Sequence, residues 1–77
     1  MITPEKYIET IKQQHRKLRN VANCLDNAEY AMNRRVETGY DSMEKMSKDI
    51  LVGAMASALE VYNNLCELYQ QEIIYEV

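Results

Sequence analysis

The chain has 77 residues, so it forms at most one domain and cannot enclose a large hydrophobic core of its own. Its net charge of −3 lacks the positive excess that is typical of nucleic-acid-binding proteins. Two cysteines, a single histidine and the absence of Cys-x-x-Cys or His-x-x-x-His spacing argue against a disulfide scaffold or a metal site, and no cofactor is predicted. Oligomerisation is therefore the stabilising device that we expect.

The first predicted helix begins with Thr3 as N-cap and Pro4 in the first helical position, where the missing proline N–H costs nothing. Apolar or small residues then recur with heptad spacing, and His15 fills one place in the pattern. This predicted seam contains Ile8, Ile11, Leu18, Ala22, Leu25, Met32 and Val36. The pattern predicts one helix over residues 4–38 whose seam packs on its neighbour, with His15 packed and hydrogen-bonded within it.

Polar residues in the middle of this helix leave an alternative open. The weak helix formers are Asn20, Asn23, Asp26 and Asn27. A helix break near residues 24–27 would give a compact three-helix bundle. Glu29 also occupies a seam position where an apolar residue is expected. Either the seam slips to Ala28 and Glu29 turns toward water, or Glu29 is a partly buried carboxylate that sets the register or binds a basic partner.

Gly39 is predicted to end the first helix, because glycine enters the left-handed region without a Cβ clash. Asp41 with Glu44 has capping-box spacing, so we place the turn at about residues 38–42 and the second helix at about 42–75. With the turn placed there, Leu18 of the first helix faces Val61 of the second. The predicted fold is an all-α antiparallel hairpin of two long helices, forming a single domain over residues 1–77.

The second helix carries more apolar surface than one neighbouring helix can cover. One stripe, expected to pack on the first helix, contains Ile50, Ala54, Ala58, Val61, Leu65 and Leu68. A second stripe beside it contains Leu51, Met55, Leu59, Tyr62, Cys66, Tyr69 and Ile73. We expect two hairpins to pack through Leu51, Met55, Leu59, Tyr62 and Cys66, giving a homodimer or a higher even oligomer built as a four-helix bundle.

The C-terminal part of the second stripe is the predicted contact for another protein. Tyr62, Tyr69 and Ile73 are expected on one face, where tyrosine supplies a large apolar body and a hydrated hydroxyl. The acidic residues expected to border this face are Glu60, Glu67, Glu72 and Glu76. An apolar stripe with an acidic rim suits a basic protein surface.

No catalytic constellation is evident, because His15 has no nucleophile or carboxylate one helical turn away and neither Cys24 nor Cys66 has an activating basic neighbour. We therefore predict a non-enzymatic protein-binding module, such as a small inhibitor, adaptor or chaperone-like protein. One alternative is a nucleic-acid-binding or regulatory helical dimer that uses the basic face formed by Lys12, Arg16 and Arg19. A further alternative is an oligomer that sequesters a small ligand.

The longest uncharged run, Ile50 to Leu59, has ten residues, which is about half of what a membrane span requires. The N-terminal residues do not resemble a secretory leader. We therefore expect a cytoplasmic protein with reduced thiols that does not interact with membranes.

Overall fold

The computed structural model describes residues 1–75 and consists of two long helices joined by a tight turn. Helix α1 spans Pro4–Thr38 and helix α2 spans Asp41–Gln70. The predicted all-α hairpin is confirmed, and the break near residues 24–27 is not found. The molecule is a rod with principal extents of 64 × 15 × 10 Å. Its radius of gyration is 17.8 Å, against about 11.5 Å for a compact domain of this length.

Local sequence accounts for the start of α1 and for the turn. The Thr3 hydroxyl accepts a hydrogen bond from the Lys6 N–H at 3.2 Å, and Pro4 follows directly. Gly39 ends α1 with φ 75° and donates its N–H to the Arg35 carbonyl at 2.9 Å. Helix α2 begins after Tyr40 without a side-chain cap, so the predicted capping box at Asp41 is not formed.

The two chain ends meet at the end of the rod opposite the turn. Helix α2 stops at Gln70 rather than near residue 75, and the backbone beyond it is extended. The Ile2 N–H donates to the Glu72 carbonyl at 2.9 Å, and the Ile74 N–H donates to the Ile2 carbonyl at 2.8 Å. Ile2 and Ile73 thereby form a parallel β-bridge. Isoleucine favours extended backbone, and this pairing satisfies groups that a frayed helix would leave to water.

The helices pack through a narrow seam of mostly small residues. Its buried apolar members are Val21, Ala28 and Ala31 of α1 with Ala54, Val61 and Leu68 of α2. Gln14 and Ser47 are buried in the same seam, and the Ser47 hydroxyl donates to the Ala28 carbonyl at 2.8 Å. The expected burial of the first α2 stripe is confirmed at Ala54, Val61 and Leu68. Small side chains at these levels allow the helix backbones to approach closely.

The predicted α1 seam is wrong by one residue. Its large members Ile8, Ile11, Leu18, Leu25, Met32 and Val36 are 41 to 75% exposed. The buried α1 residues Gln14, Val21 and Ala28 each come one position before a residue of the predicted pattern. His15 was predicted to pack within the seam and lies in water instead. At the next level the first alternative is confirmed, because Ala28 is buried in the seam and Glu29 turns toward water. Lys17 contacts Glu60, so Leu18 lies close to the predicted height opposite Val61, but its side chain is exposed beside the seam rather than packed within it.

Candidate protein-binding face

One broad side of the hairpin carries most of its exposed large apolar side chains. We call it the apolar face and define it by Ile8, Ile11, Leu18, Leu25, Met32 and Val36 of α1 with Leu51, Met55, Leu59, Tyr62, Leu65 and Tyr69 of α2. A shallow depression of about 210 Å³ is lined by Leu25 of α1 together with Leu51, Met55 and Ala58 of α2. The stripes of the two helices therefore meet on the same side of the seam.

The opposite side of the hairpin is mostly polar, with Met46 as an exposed apolar exception. A groove of about 310 Å³ runs there between the helices, and its lining includes Gln13, Lys17 and Glu67. Lys17 forms an ion pair with Glu60 at 2.6 Å on this side. The rod is therefore amphipathic in cross-section, with one apolar and one polar broad side.

The structure brings the predicted self-interface residues together on the apolar face. Leu51, Met55, Leu59 and Tyr62 are exposed there, and Cys66 is half-buried. A second depression, of about 430 Å³, is lined by Tyr62, Leu65, Cys66, Tyr69 and Gln70. Sequence reasoning missed the α1 half of this face because it assigned those residues to the intrachain seam. The polar residues His15 and Glu29 within that stripe were the available signal.

The predicted partner-binding cluster is only partly formed. Tyr62 and Tyr69 lie two helical turns apart on the apolar face, and Tyr69 is 89% exposed. Ile73 is not beside them, because α2 ends at Gln70 and Ile73 pairs with Ile2.

The predicted acidic rim does not border the tyrosines. Glu60 and Glu67 come one residue before the buried Val61 and Leu68, whereas Tyr62 and Tyr69 come one residue after them. Two residues correspond to about 200° around a helix, so these carboxylates lie on the polar side. Glu72 lies beyond the end of α2, and Glu76 falls outside the described residues.

Two charged residues of the apolar face lie at the same level. The Ser47 hydroxyl contacts the Ala28 carbonyl across the seam. Lys48 and Glu29 each follow one of these residues on antiparallel helices, so they lie within about 3 Å of the same height along the rod. Both side chains are exposed. Lys48 pairs within α2 with Glu44 at 3.8 Å, and Glu29 forms no ion pair within residues 1–75.

The basic residues predicted for nucleic-acid contact lie elsewhere. Lys12, Arg16 and Arg19 are all exposed on α1. Over the described part of the chain, none of the three takes part in an ion pair. They point away from the seam, with Glu9 among their neighbours on the same outer side.

Neither metal-binding nor membrane-spanning features occur between Met1 and Tyr75. No group of three potential metal-ligating side chains forms there, and neither helix combines the length and apolarity needed to cross a bilayer. Cys24 and Cys66 are both free and half-buried.

Comparison of the chain with protein-family models, curated proteins and solved structures finds no match. The function is therefore inferred from the geometry of the hairpin itself.

Proposed function

We propose that this chain is a non-enzymatic protein-binding module that packs its apolar face against another protein, as a small inhibitor, adaptor or chaperone-like protein does. The supporting observation is the amount of surface left uncovered. The chain exposes 6183 Å², whereas a compact monomer of 9.0 kDa is expected to expose about 4,900 Å². Contiguous apolar patches of this kind mark protein interaction sites.

The thin seam also supports the proposal. Among the buried apolar residues of the described chain, Met1 to Tyr75, only Val21, Val61 and Leu68 are larger than alanine. Full burial of such a side chain contributes about 1.5–3 kcal/mol, while ordering the backbone costs about 1–2 kcal/mol for every residue. A hairpin with so small a core is stabilised further when additional apolar surface is covered.

Tyr62 and Tyr69 are the proposed anchors of the interaction. Tyrosine residues are enriched among the interface positions that contribute most to binding, because they bury a rigid ring while the hydroxyl stays hydrated. Both lie at the half of the apolar face that is farther from the turn.

The proposal is tested with two neighbouring substitutions in α2. Met55 is 68% exposed on the apolar face, and Ala56 is exposed on the outer side of the same helix. The wild type, Ala56→Asp and Met55→Asp each serve as bait in a lysate of the native host. Proteins captured by the first two baits should be absent from the Met55→Asp capture. Circular dichroism should report equal helicity for the three baits. Retention of the same proteins by Met55→Asp at the wild-type level would overturn the proposal.

A second candidate function is nucleic-acid binding through Lys12, Arg16 and Arg19. It is supported by their common exposure and by the composition of α1, which has seven basic and five acidic residues. Phosphate binding of this kind weakens steeply as salt rises. Replacing the three residues by glutamine should abolish binding to duplex or single-stranded nucleic acid at physiological salt. Absence of wild-type binding under that condition would dismiss this candidate.

A further inference from the structure

We infer that the apolar face is covered by a second copy of this chain, with the turns of the two hairpins at the same end of the assembly. In this arrangement α1 of each hairpin lies against α2 of the other. The inference rests on the proposed function, since it uses the apolar face as the binding surface. It makes a second copy the protein that packs on this face, so the native host's copies of the chain are the captured protein expected in the bait comparison.

The surplus of exposed surface on the elongated rod is large enough for a second copy. The exposed surface exceeds that of a compact monomer by about 1,300 Å². A stable protein interface of standard size buries about 800 Å² on each partner. A two-fold axis lets the same face serve both copies, and two hairpins joined in this way complete a four-helix bundle.

The charges of the helices select the orientation. Helix α1 carries seven basic and five acidic residues, and helix α2 carries two basic and five acidic residues, so their net charges are +2 and −3. With the turns together, every helix has two neighbours of opposite sign. With the turns at opposite ends, α1 packs on α1 and α2 packs on α2, so helices of like net charge become neighbours. Most of these charged side chains lie on the polar and outer sides, so the preference acts through the net charge of each helix.

The distribution of apolar residues along α2 bears on the orientation through the two tyrosines. The α2 side of the face is polar near the turn, at Asp41, Glu44 and Lys48, and apolar from Leu51 to Tyr69. With the turns together, Tyr62 and Tyr69 lie level with Ile8 to Leu18 of the partner's α1, whereas Met32 and Val36 lie level with the charged residues near the partner's turn. With the turns opposed and the helices fully overlapped, Tyr62 and Tyr69 would lie against charged residues near the partner's turn, at a cost in desolvation.

Glu29 gains a partner only when the turns are together. Glu29 and Lys48 lie level on the apolar face, and Glu29 has no ion pair within residues 1–75 of its own chain. The two-fold axis then places Glu29 against the partner's Lys48, twice in each dimer. A charged pair within an apolar interface is a common means of fixing register and orientation.

Cysteine cross-linking tests the orientation. Ala22 and Met55 lie near the middle of their helices, and both are exposed on the side of the apolar face. The background carries Cys24→Ala and Cys66→Ala, and each variant adds either Ala22→Cys or Met55→Cys. With the turns together, residue 22 meets residue 55 of the partner, so only the mixture of the two variants forms a covalent dimer on mild oxidation. With the turns opposed, each residue meets its own counterpart, so each variant cross-links alone.

The outcomes separate this inference from the proposed function. We expect light scattering to give twice the 9.0 kDa chain mass and cross-linking to occur in the mixture alone. Cross-linking of each single variant would overturn the orientation and leave the proposed function intact. A monomer at tens of micromolar would overturn the second copy as occupant, while the comparison of the Met55→Asp and Ala56→Asp baits still decides the proposed function.

A charge exchange provides an independent check on the folded dimer. Glu29→Lys or Lys48→Glu alone should weaken dimerisation by about 2–5-fold, as expected for a partly exposed ion pair. The double variant restores the pair across the interface when the turns are together and should recover wild-type affinity. Failure of the double variant to recover it would contradict the assigned orientation.

Discussion

Asn64 of α2 donates a hydrogen bond from its side-chain amide to Oε1 of Gln14 of α1, across the seam at 3.1 Å. Gln14 is only 5% exposed, so its carbonyl oxygen depends on this donor. Asn64→Ala should lower the free energy of unfolding by about 1–2 kcal/mol, because a buried acceptor loses its partner. Urea denaturation measures the change.

The double variant Gln14→Leu/Asn64→Leu removes both partners of that hydrogen bond at once. It should be close to neutral in stability, since no buried polar group is left unsatisfied. The control is Gln13→Leu, because Gln13 is exposed and lines the polar groove beside Gln14 and Asn64. It should change stability little. A double variant as unstable as Asn64→Ala would contradict this interpretation of the pair.

The close contact between Ala28 and Ser47 predicts intolerance of larger side chains. Ala28→Leu inserts a branched side chain where the Ser47 hydroxyl already lies 2.8 Å from the Ala28 carbonyl. Overpacking of this kind costs about 1–3 kcal/mol, so the thermal midpoint should fall. Ala56→Leu, on the exposed outer side of α2, adds the same atoms and should leave the midpoint nearly unchanged. Equal midpoints for the two variants would show that the helices do not approach closely at this level.

The two glycines predict effects of opposite sign from the same substitution. Gly39 has a φ of 75°, where an alanine Cβ is strained, so Gly39→Ala should destabilise the chain by about 1–2 kcal/mol. Gly53 lies within α2 with open space around its Cα, so Gly53→Ala should stabilise it by about 0.5–1 kcal/mol. Chemical denaturation of both variants measures the signs, and equal signs would contradict a left-handed end of α1 at Gly39 or a continuous α2 through Gly53.

Aspartate at two α2 positions should separate folding from association. Val61 is 2% exposed, so Val61→Asp places an unpaired charge in the seam and should abolish the helical signal in circular dichroism. Met55→Asp should lose binding through the apolar face but keep the helical signal of the wild type. If Val61→Asp remains folded and helical, the assignment of the intrachain seam is incorrect.

The sequence predicted those features of the fold that depend on local chemistry. Thr3, Pro4 and Gly39 define helix ends through capping and backbone preference, and the structure places all three as expected. The end of α2 was misplaced because nothing at Gln70 breaks a helix, and the helix is ended there by the pairing of Ile73 with Ile2, a contact between opposite ends of the chain.

The choice between neighbouring stripes on α1 could not be made from spacing alone. A stripe through Val21 and Ala28 and a stripe through Ala22 and Glu29 have the same heptad period and differ by one residue. Hydrophobicity favours the second stripe, whereas close approach of two backbones favours the alanines of the first. Large apolar residues therefore mark the outer face of this hairpin rather than its seam.

The bridge between Ile2 and Ile73 also has a kinetic consequence. Contacts near Gly39 close short loops, whereas this bridge closes a loop of nearly the whole chain, and closure entropy rises with loop length. Two backbone hydrogen bonds, together with one from the Met1 amino group to Oε1 of Gln71 at 2.9 Å, offset that cost in the described residues. During folding the two helices should pair first near the turn and last at the bridge, and local opening should begin at the bridge. The amide protons of Ile2 and Ile74 should therefore exchange with solvent well before those around Ala54.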